Sequence, residues 1–508
     1  VAIVVGASAV GALTACSSGR PLNRRLVTPD GAQRIQPAET PILKAHMKDG
    51  RLYVLSSWRV DERAHVVLGY GRLLEVDRGH GTSGSFTVAI ADVALFETND
   101  APSVSPGIAP LTVVTGVSLA VTAACIVNPK ACFGSCPTFY VSDGERPVLQ
   151  AEGFSDSIAP SLEATDIDAL YRARPAGRAF EVRMTNEALE THVVKRVEVL
   201  TVPRPPGGRV FRDADDGFYG ATALHAATLC AAPEGDCAPA LRAFDGTERA
   251  SLADGADLAA REELTLDFPA TGPGPRGLVI ASRQTLLTTY LLYQGLAYLG
   301  SKVADALAAL KRDPSIKDAV LAAHRRLGAI EVFVPDAAGR WSKAGEAFET
   351  GPLAVDTHLV RLPALPPGPT RVKLRLTKGN WRLDWIALAE LGPRLEATHL
   401  PPRSIAGKTD DGRAVAPRAG DTIVTMPGDA YTFAFELPEH PERYELFLSS
   451  RGYYLEWIRR EWVAEESQVR AALLASAPGL SLRLLAPAYK RQEADMERLF
   501  WESRYAHP

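Results

Sequence analysis

Hydrophobic and polar positions alternate with a period of two over RLYVLSSWRV, AHVVLGYGRLLEV and SFTVAIADVALFET, between residues 51 and 99. That period places successive side chains on opposite faces of a strand, so the segment predicts a small antiparallel sheet of three or four strands over 41–100. Gly69, Gly71, Gly79, Gly81 and Gly84 punctuate it. Strand patterns return in VLQAEGF, FEVRMTN and VVKRVEVLTV, defining a β-rich region over 138–275.

The period changes at residues 283–311, where Leu287, Tyr290, Leu291, Gln294 and Tyr298 recur at helical intervals. With SIKDAVLAAHRRL after Pro314, this predicts a helical insertion over 276–328 whose apolar face packs on the flanking β-regions. AIEVFVPD, RVKLRLTKG, WRLDWIALAEL, DTIVTM and YTFAFELP read as strands of a β-sandwich-like region over 329–440. Lys378-Gly379-Asn380 has the chemistry of a hairpin turn between two of them. From residue 441 the chain reads as helix, with Tyr454, Trp457 and Ile458 on one face. The fold class expected is α+β and β-rich: antiparallel sheets, a central helical insertion and a helical C-terminus.

Two uncharged stretches interrupt this scheme. Residues 107–127 are apolar enough to enter a membrane, but Pro110 and several hydroxyl residues favour a buried helix or apolar hairpin. Residues 1–15 are also uncharged and end in Leu13-Thr14-Ala15-Cys16. That tetrad resembles the lipobox of bacterial lipoproteins, with 1–15 as a signal peptide of truncated n-region. The resemblance implies lipidation of Cys16, removal of the preceding residues and a cell-envelope location. Ser17 resembles the residue found in outer-membrane-sorted members of that class. Residues 16–40 read as a polar tether without hydrophobic periodicity. ACFGSCPTFYV, inside the 101–137 segment, resembles a stretch of uncharacterised envelope lipoproteins and implies no function.

The chain has 508 residues, 56 basic and 60 acidic, for a net charge of −4. That length points to two to four domains, and the absence of a basic block argues against nucleic acid as a partner. Export makes disulfides the default for the spacings Cys132-x3-Cys136 and Cys230-x6-Cys237, with Cys125 left over, while other pairings, including Cys125 with Cys132, stay open. Neither spacing matches a common zinc or haem motif.

Compact enzyme signatures are missing from suitable contexts. GHGTSG at 79–84 precedes a strand where a dinucleotide site needs a helix, so it reads as a turn. Three weaker constellations remain. Glu187, Glu190 and His192 offer carboxylates beside an imidazole, and on a strand Glu190 and His192 share a face, as an acid/base pair requires. Asp213, Asp215 and Asp216 precede Gly217 in a spacing that suits a structural calcium ion, although it departs from an EF-hand loop. Trp341, Trp381 and Trp385 with Asp384 resemble the aromatic platforms of carbohydrate-binding β-sandwiches, while strand parity with Leu383 points to core packing.

The sequence therefore predicts a non-catalytic envelope lipoprotein with a binding, scaffolding or assembly role, no obligate cofactor, a membrane partner through its anchor and an envelope protein or glycan partner. The alternative is an envelope hydrolase of glycan or peptide using dispersed carboxylates.

Overall fold

The computed structural model describes residues 23–27, 29–35, 43–47, 51–74, 81–100, 136–187, 190–310, 322–348, 351–408, 414–426, 428–456 and 464–504. Cys16, Cys125, Cys132 and the apolar stretch 107–127 lie outside these residues. The chain divides into two units, Val1–Leu111 and Thr112–Pro508.

The described residues of the first unit form one antiparallel sheet, sheet I. Its strand order is Asn23–Val27, Val93–Asp100, Leu43–Met47, Leu52–Asp61, Val66–Leu74 and Gly81–Ala89. The expected alternation holds: Leu43, Ala45, Leu55, Val67, Val93 and Phe96 form its core. Gly71 is needed for close approach, because a Cβ there would stand 2.0 Å from the Val54 carbonyl oxygen. One boundary shifts. Residues read as tether supply the strand Asn23–Val27, which pairs with Val93–Asp100, and Val27, Ala32 and Ile35 are buried in the same core. Three apolar side chains, too few to show a period, are enough to cover a sheet end.

The described residues of the second unit form four sheets and a helical cluster. Sheet II orders Ala414–Val415, Ser404–Lys408, Ala430–Glu436, Ala179–Thr185, Thr138–Ser142 and Pro147–Glu152. Sheet III orders Thr398–Leu400, Glu190–Pro203, Tyr444–Glu456 and Ala164–Ala169, with Ile423–Thr425 also pairing Glu190–Pro203. Phe139, Val182, Met184 and Phe433 of sheet II meet Val194, Val199 and Leu448 of sheet III in one core.

Sheet IV is built from Phe218–Ala226, Arg209–Asp213, Asp356–Arg361, Arg276–Gln284, Trp381–Leu395 and Arg249–Ala250. Its ladder closes on itself, because Phe218–Ala226 pairs with both Arg209–Asp213 and Trp381–Leu395. Sheet V orders Gly235–Asp236, Leu229–Ala232, Arg261–Thr271, Gly368–Thr377, Ile330–Pro335 and Trp341–Ala347. Leu278, Ile280, Ile386 and Leu388 of sheet IV pack on Leu264, Leu266, Val332 and Leu374 of sheet V. A further core joins Val279, Leu359, Ala387 and Ala389 of sheet IV to Ala169, Leu200, Val202 and Phe447 of sheet III. Two sandwiches thus share an interior seam.

The fold is β-rich and α+β, as its periodicities indicate, but three local expectations change. Residues 444–456 form a 13-residue strand rather than a helix. Tyr444–Glu456 pairs along its length with Glu190–Pro203, and its two faces enter different cores. A strand buried on both faces has no solvent-facing polar period to distinguish it from helix. Tyr454 lies in this strand, and Trp457 and Ile458 lie outside the described residues. Next, Lys378-Gly379-Asn380 does turn the chain, with Gly379 at φ +72°, but it carries Gly368–Thr377 in sheet V into Trp381–Leu395 in sheet IV. The connection is an arch between sheets, not a hairpin. Last, Arg276–Gln284, placed at the start of the helical insertion, is a strand with all nine residues buried.

Helix α1 follows at Leu286–Leu299, where Thr285 caps its N-terminus by accepting from the Leu287 amide. Helices α2 (Val303–Ala309) and α3 (Ala322–Leu327) come next, and α4 (Gln468–Ser476) and α5 (Pro478–Arg504) close the chain. The expected face of α1 is buried, but its main apolar partners are Leu482, Leu485, Ala486, Tyr489 and Met496 of α5 rather than strands of both flanking regions. The Tyr290 and Tyr489 rings lie 5.1 Å apart.

Leu287 is fully buried in this cluster, whereas Leu252 is 62% exposed. Leu287→Ala is expected to cost about 2–5 kcal/mol in denaturant unfolding, while Leu252→Ser should stay within about 0.5 kcal/mol. Equal effects would contradict this packing.

Candidate functional site

The segment between sheets II and III carries the acid/base constellation. Ala179–Thr185 ends beside Asn186, and Glu190–Pro203 begins four residues later. The Asn186 side-chain amide ties this crossing by donating to the carbonyls of Glu190 (2.9 Å) and Thr425 (3.3 Å). Glu187 stays with sheet II, accepting from the Tyr140 hydroxyl at 2.6 Å and the Thr185 hydroxyl at 2.9 Å. Glu190 and His192 share the expected face, with Glu190 Oε1 2.7 Å from His192 Nε2. Glu187 does not join them through any of these bonds.

Strand register sets what surrounds the pair. His192 lies opposite Tyr454, and Glu190 lies opposite Glu456. The Tyr454 hydroxyl donates to the Ser155 carbonyl at 2.9 Å. Tyr293 of α1 donates to Glu456 Oε1 at 3.0 Å. Cys136 borders this group as a free, buried thiol rather than half of a Cys132–Cys136 disulfide. Its side chain packs in the core between sheets II and III. Burial, then the Glu152 and Glu190 carboxylates, push the Cys136 thiol well above its usual pKa. Burial also raises the Tyr454 phenol, helped by Cys136 and Glu190.

A nucleophilic cysteine needs a thiolate, and an acid/base pair needs a path to its substrate. Here the thiol is held protonated, and Glu190 and His192 are 1% and 0% exposed. The group therefore acts as a polar core: it fixes the imidazole and satisfies strand ends where two sheets meet.

The acidic loop is organised by its own backbone. Asp213 Oδ1 accepts from the amides of Asp215 (3.1 Å) and Gly217 (2.8 Å), while Oδ2 pairs with Arg361 Nε at 2.8 Å. Asp216, at φ +55°, pairs with Arg212 at 2.9 Å, and the Asp215 side chain is largely exposed. Among the described residues no group of three or more His, Cys, Asp or Glu side chains is arranged to hold a metal ion.

The three tryptophans are separated. Trp381 is buried between sheets IV and V, Trp385 packs on Phe211 at the seam between sheets III and IV, and half-exposed Trp341 lies beside Lys373 at 5.2 Å. A register shift opposite Ala281 and Ser282 breaks the parity of Leu383 with Trp385. No shared platform results. Asp384, at this irregularity, is buried and accepts from the amides of Asp245 (3.2 Å) and Gly246 (3.1 Å). Burial raises its pKa against the effect of these two bonds.

The expected Cys230–Cys237 disulfide is present, with Cα atoms 4.9 Å apart. Sequence reasoning missed a cleft of about 520 Å³ lined by Pro203, Pro205, Gly272–Pro275 and Gly392–Pro393. Its signal was the Pro/Gly density of these three loops. Glu390 on its wall pairs with His225 at 2.9 Å, and Arg204 reaches Glu445 at 3.2 Å.

A buried carboxyl with a raised folded pKa favours the folded state while protonated and loses that advantage as pH rises through the folded value. Asp384→Asn keeps an oxygen for the two amides and removes the titration. Its melting temperature should match the parent's at acid pH and equal or exceed it at neutral pH, measured by thermal scans from about pH 3.5 to 7. Selective destabilisation of the variant at neutral pH would contradict the assignment.

No family model matches the chain, and no curated protein does. Among solved structures, the crystal structure of a GH31 alpha-xylosidase from Xanthomonas citri aligns at 10% identity with a TM-score of 0.16, over 90% of this chain and 40% of that one. The chain thus spans less than half the length of that enzyme, and a likeness of this size carries no argument about fold or activity.

Proposed function

We propose that the chain is a non-catalytic bacterial envelope lipoprotein, anchored through acylated Cys16, whose β-sheet body serves binding or assembly. One observation carries this reading: the side chains best suited to chemistry are engaged as ties within the fold. Glu190 and His192 are sealed between sheets, Asp384 caps a turn, and Glu187 is held by Tyr140 and Thr185 on a different sheet from each. A hydrolase of the two-carboxylate type needs a pair flanking an open cleft about 5–10 Å apart. Glu190 lies on sheet III and Asp384 on sheet IV, while Glu187, in the loop after Thr185, is bonded to sheet II. The Pro/Gly-walled cleft offers rigid, solvent-facing backbone, which suits a recognition surface for an envelope protein or glycan.

The anchor is tested by expressing the full chain in a bacterial host with a clickable fatty acid. The parent should incorporate label and enter the detergent phase, and Cys16→Ser should lose both. Label retained by Cys16→Ser would overturn the anchor. Hydrolysis of glycan or peptide by the purified parent, lost in Glu190→Gln or Asp384→Asn, would overturn the non-catalytic reading.

A further inference from the structure

Helices α4 and α5 present an apolar elbow whose outer side chains are exposed. They are bent by 118° at their junction, and together they reach the length and mean hydropathy of a membrane segment, although no single helix among the described residues does so. The inner side of the elbow is committed to the core: Leu482, Leu485, Ala486 and Tyr489 are at most 5% exposed in the cluster around α1. That packing excludes a span in this fold and leaves the outer side.

The outer side has its own periodicity. On α5, Leu480, Leu484, Pro487 and Arg491 recur at i, i+4, i+7 and i+11, and all are exposed. On α4, Val469, Ala472 and Ser476 recur at i, i+3 and i+7 and are exposed. Val469 is 80% exposed, Leu484 63% and Leu480 50%, so three of the eight exposed large apolar side chains among the described residues meet on this elbow.

Charge selects the occupant. From Ser467 to Gln492 the chain carries Arg470, Arg483, Lys490 and Arg491 and no Asp or Glu, in a protein of net charge −4, although Lys490 pairs with Glu493 just beyond at 2.9 Å. Arg470 stacks over the Tyr298 ring at 5.6 Å. Arg483 shares Asp257 at 3.1 Å, with its side chain 65% exposed. Exposed apolar residues bordered by basic ones match the interface of a bilayer with anionic headgroups.

We propose that the α4–α5 elbow docks peripherally on an anionic lipid bilayer, Val469, Leu480 and Leu484 entering the headgroup boundary and the neighbouring basic side chains meeting lipid phosphates. This contact is independent of acylation. It would act as a second, reversible attachment beside a lipid anchor, since two weak membrane signals together hold a protein far better than either alone.

The test uses the full chain carrying Cys16→Ser, so that no acyl chain contributes, and cosedimentation with vesicles of phosphatidylethanolamine and phosphatidylglycerol. Binding should exceed that to phosphatidylcholine vesicles and weaken when salt is raised to about 0.5 M. Adding Leu480→Asp and Leu484→Asp should lower vesicle binding at least about tenfold, since each change places a charge where an apolar side chain met lipid. Because both leucines are exposed, the thermal unfolding of this variant should match the Cys16→Ser parent. Absence of binding by that parent, or equal binding by the variant, would overturn the proposal. So would a stable dimer of the parent that the same substitutions dissociate, which would assign the elbow to self-association.

Discussion

The buried carboxylate of Glu445 is the tie on which the arrangement of the two sandwiches depends. It sits on Tyr444–Glu456 of sheet III and is 2% exposed. Its oxygens accept from Arg209 at 2.9 and 3.2 Å and from the Val210 amide at 3.1 Å, both on the first strand of sheet IV in chain order, and from Arg204 at 3.2 Å. A carboxylate this deep is tolerated only if its lone pairs are met by charged or backbone donors. Asp356 of sheet IV reciprocates by accepting from the Ala169 amide of sheet III at 3.0 Å and facing Arg212 at 3.5 Å. Burial opposes the charge on Arg212, but the Asp356 and Asp166 carboxylates hold its pKa above the ordinary arginine value. Tyr171 completes the seam by donating to the Val210 carbonyl at 2.7 Å while Arg209 stacks over its ring at 4.3 Å. Apolar contacts of Leu200, Val202 and Phe447 with Val279 and Leu359 supply area, and these directional bonds supply register.

Much of this was legible in sequence where a local rule of period or spacing applies. The alternation in sheet I, the helical period of α1, the short Cys230–Cys237 loop and the shared face of Glu190 and His192 each follow from a local rule. Legibility fails where burial is two-sided or where the chain changes sheets. Tyr444–Glu456 has no polar face to report its period, so aromatic density passed for a helix. The Gly379 turn obeys turn chemistry, but nothing local distinguishes a hairpin from an arch between sheets. The parity argument for Trp385 fails at one irregularity beside Asp384 that residue types do not announce. Cys136 shows the limit of spacing arguments: its thiol is free and packs in the core between sheets II and III.

The same seam shapes the functional reading. Polar side chains drawn into joints between sheets satisfy buried strand ends and hold orientation, at the cost of access to substrate. Two features of the described surface stand apart from these joints: a Pro/Gly cleft at one set of loops and the exposed apolar side chains of the helical elbow. Surfaces of that kind recognise by shape and by burial.

Native-state hydrogen exchange on Glu445→Gln tests the central claim, that one polar seam makes the two sandwiches a single cooperative body. The substitution preserves size and leaves Arg204 and Arg209 without their shared anion, a loss of about 1–3 kcal/mol. If the seam unites them, the amides of Glu190–Pro203 in sheet III and of Arg276–Gln284 in sheet IV lose protection together and by the same free energy. Loss of protection confined to one sandwich, with the other exchanging as in the parent, would contradict the account.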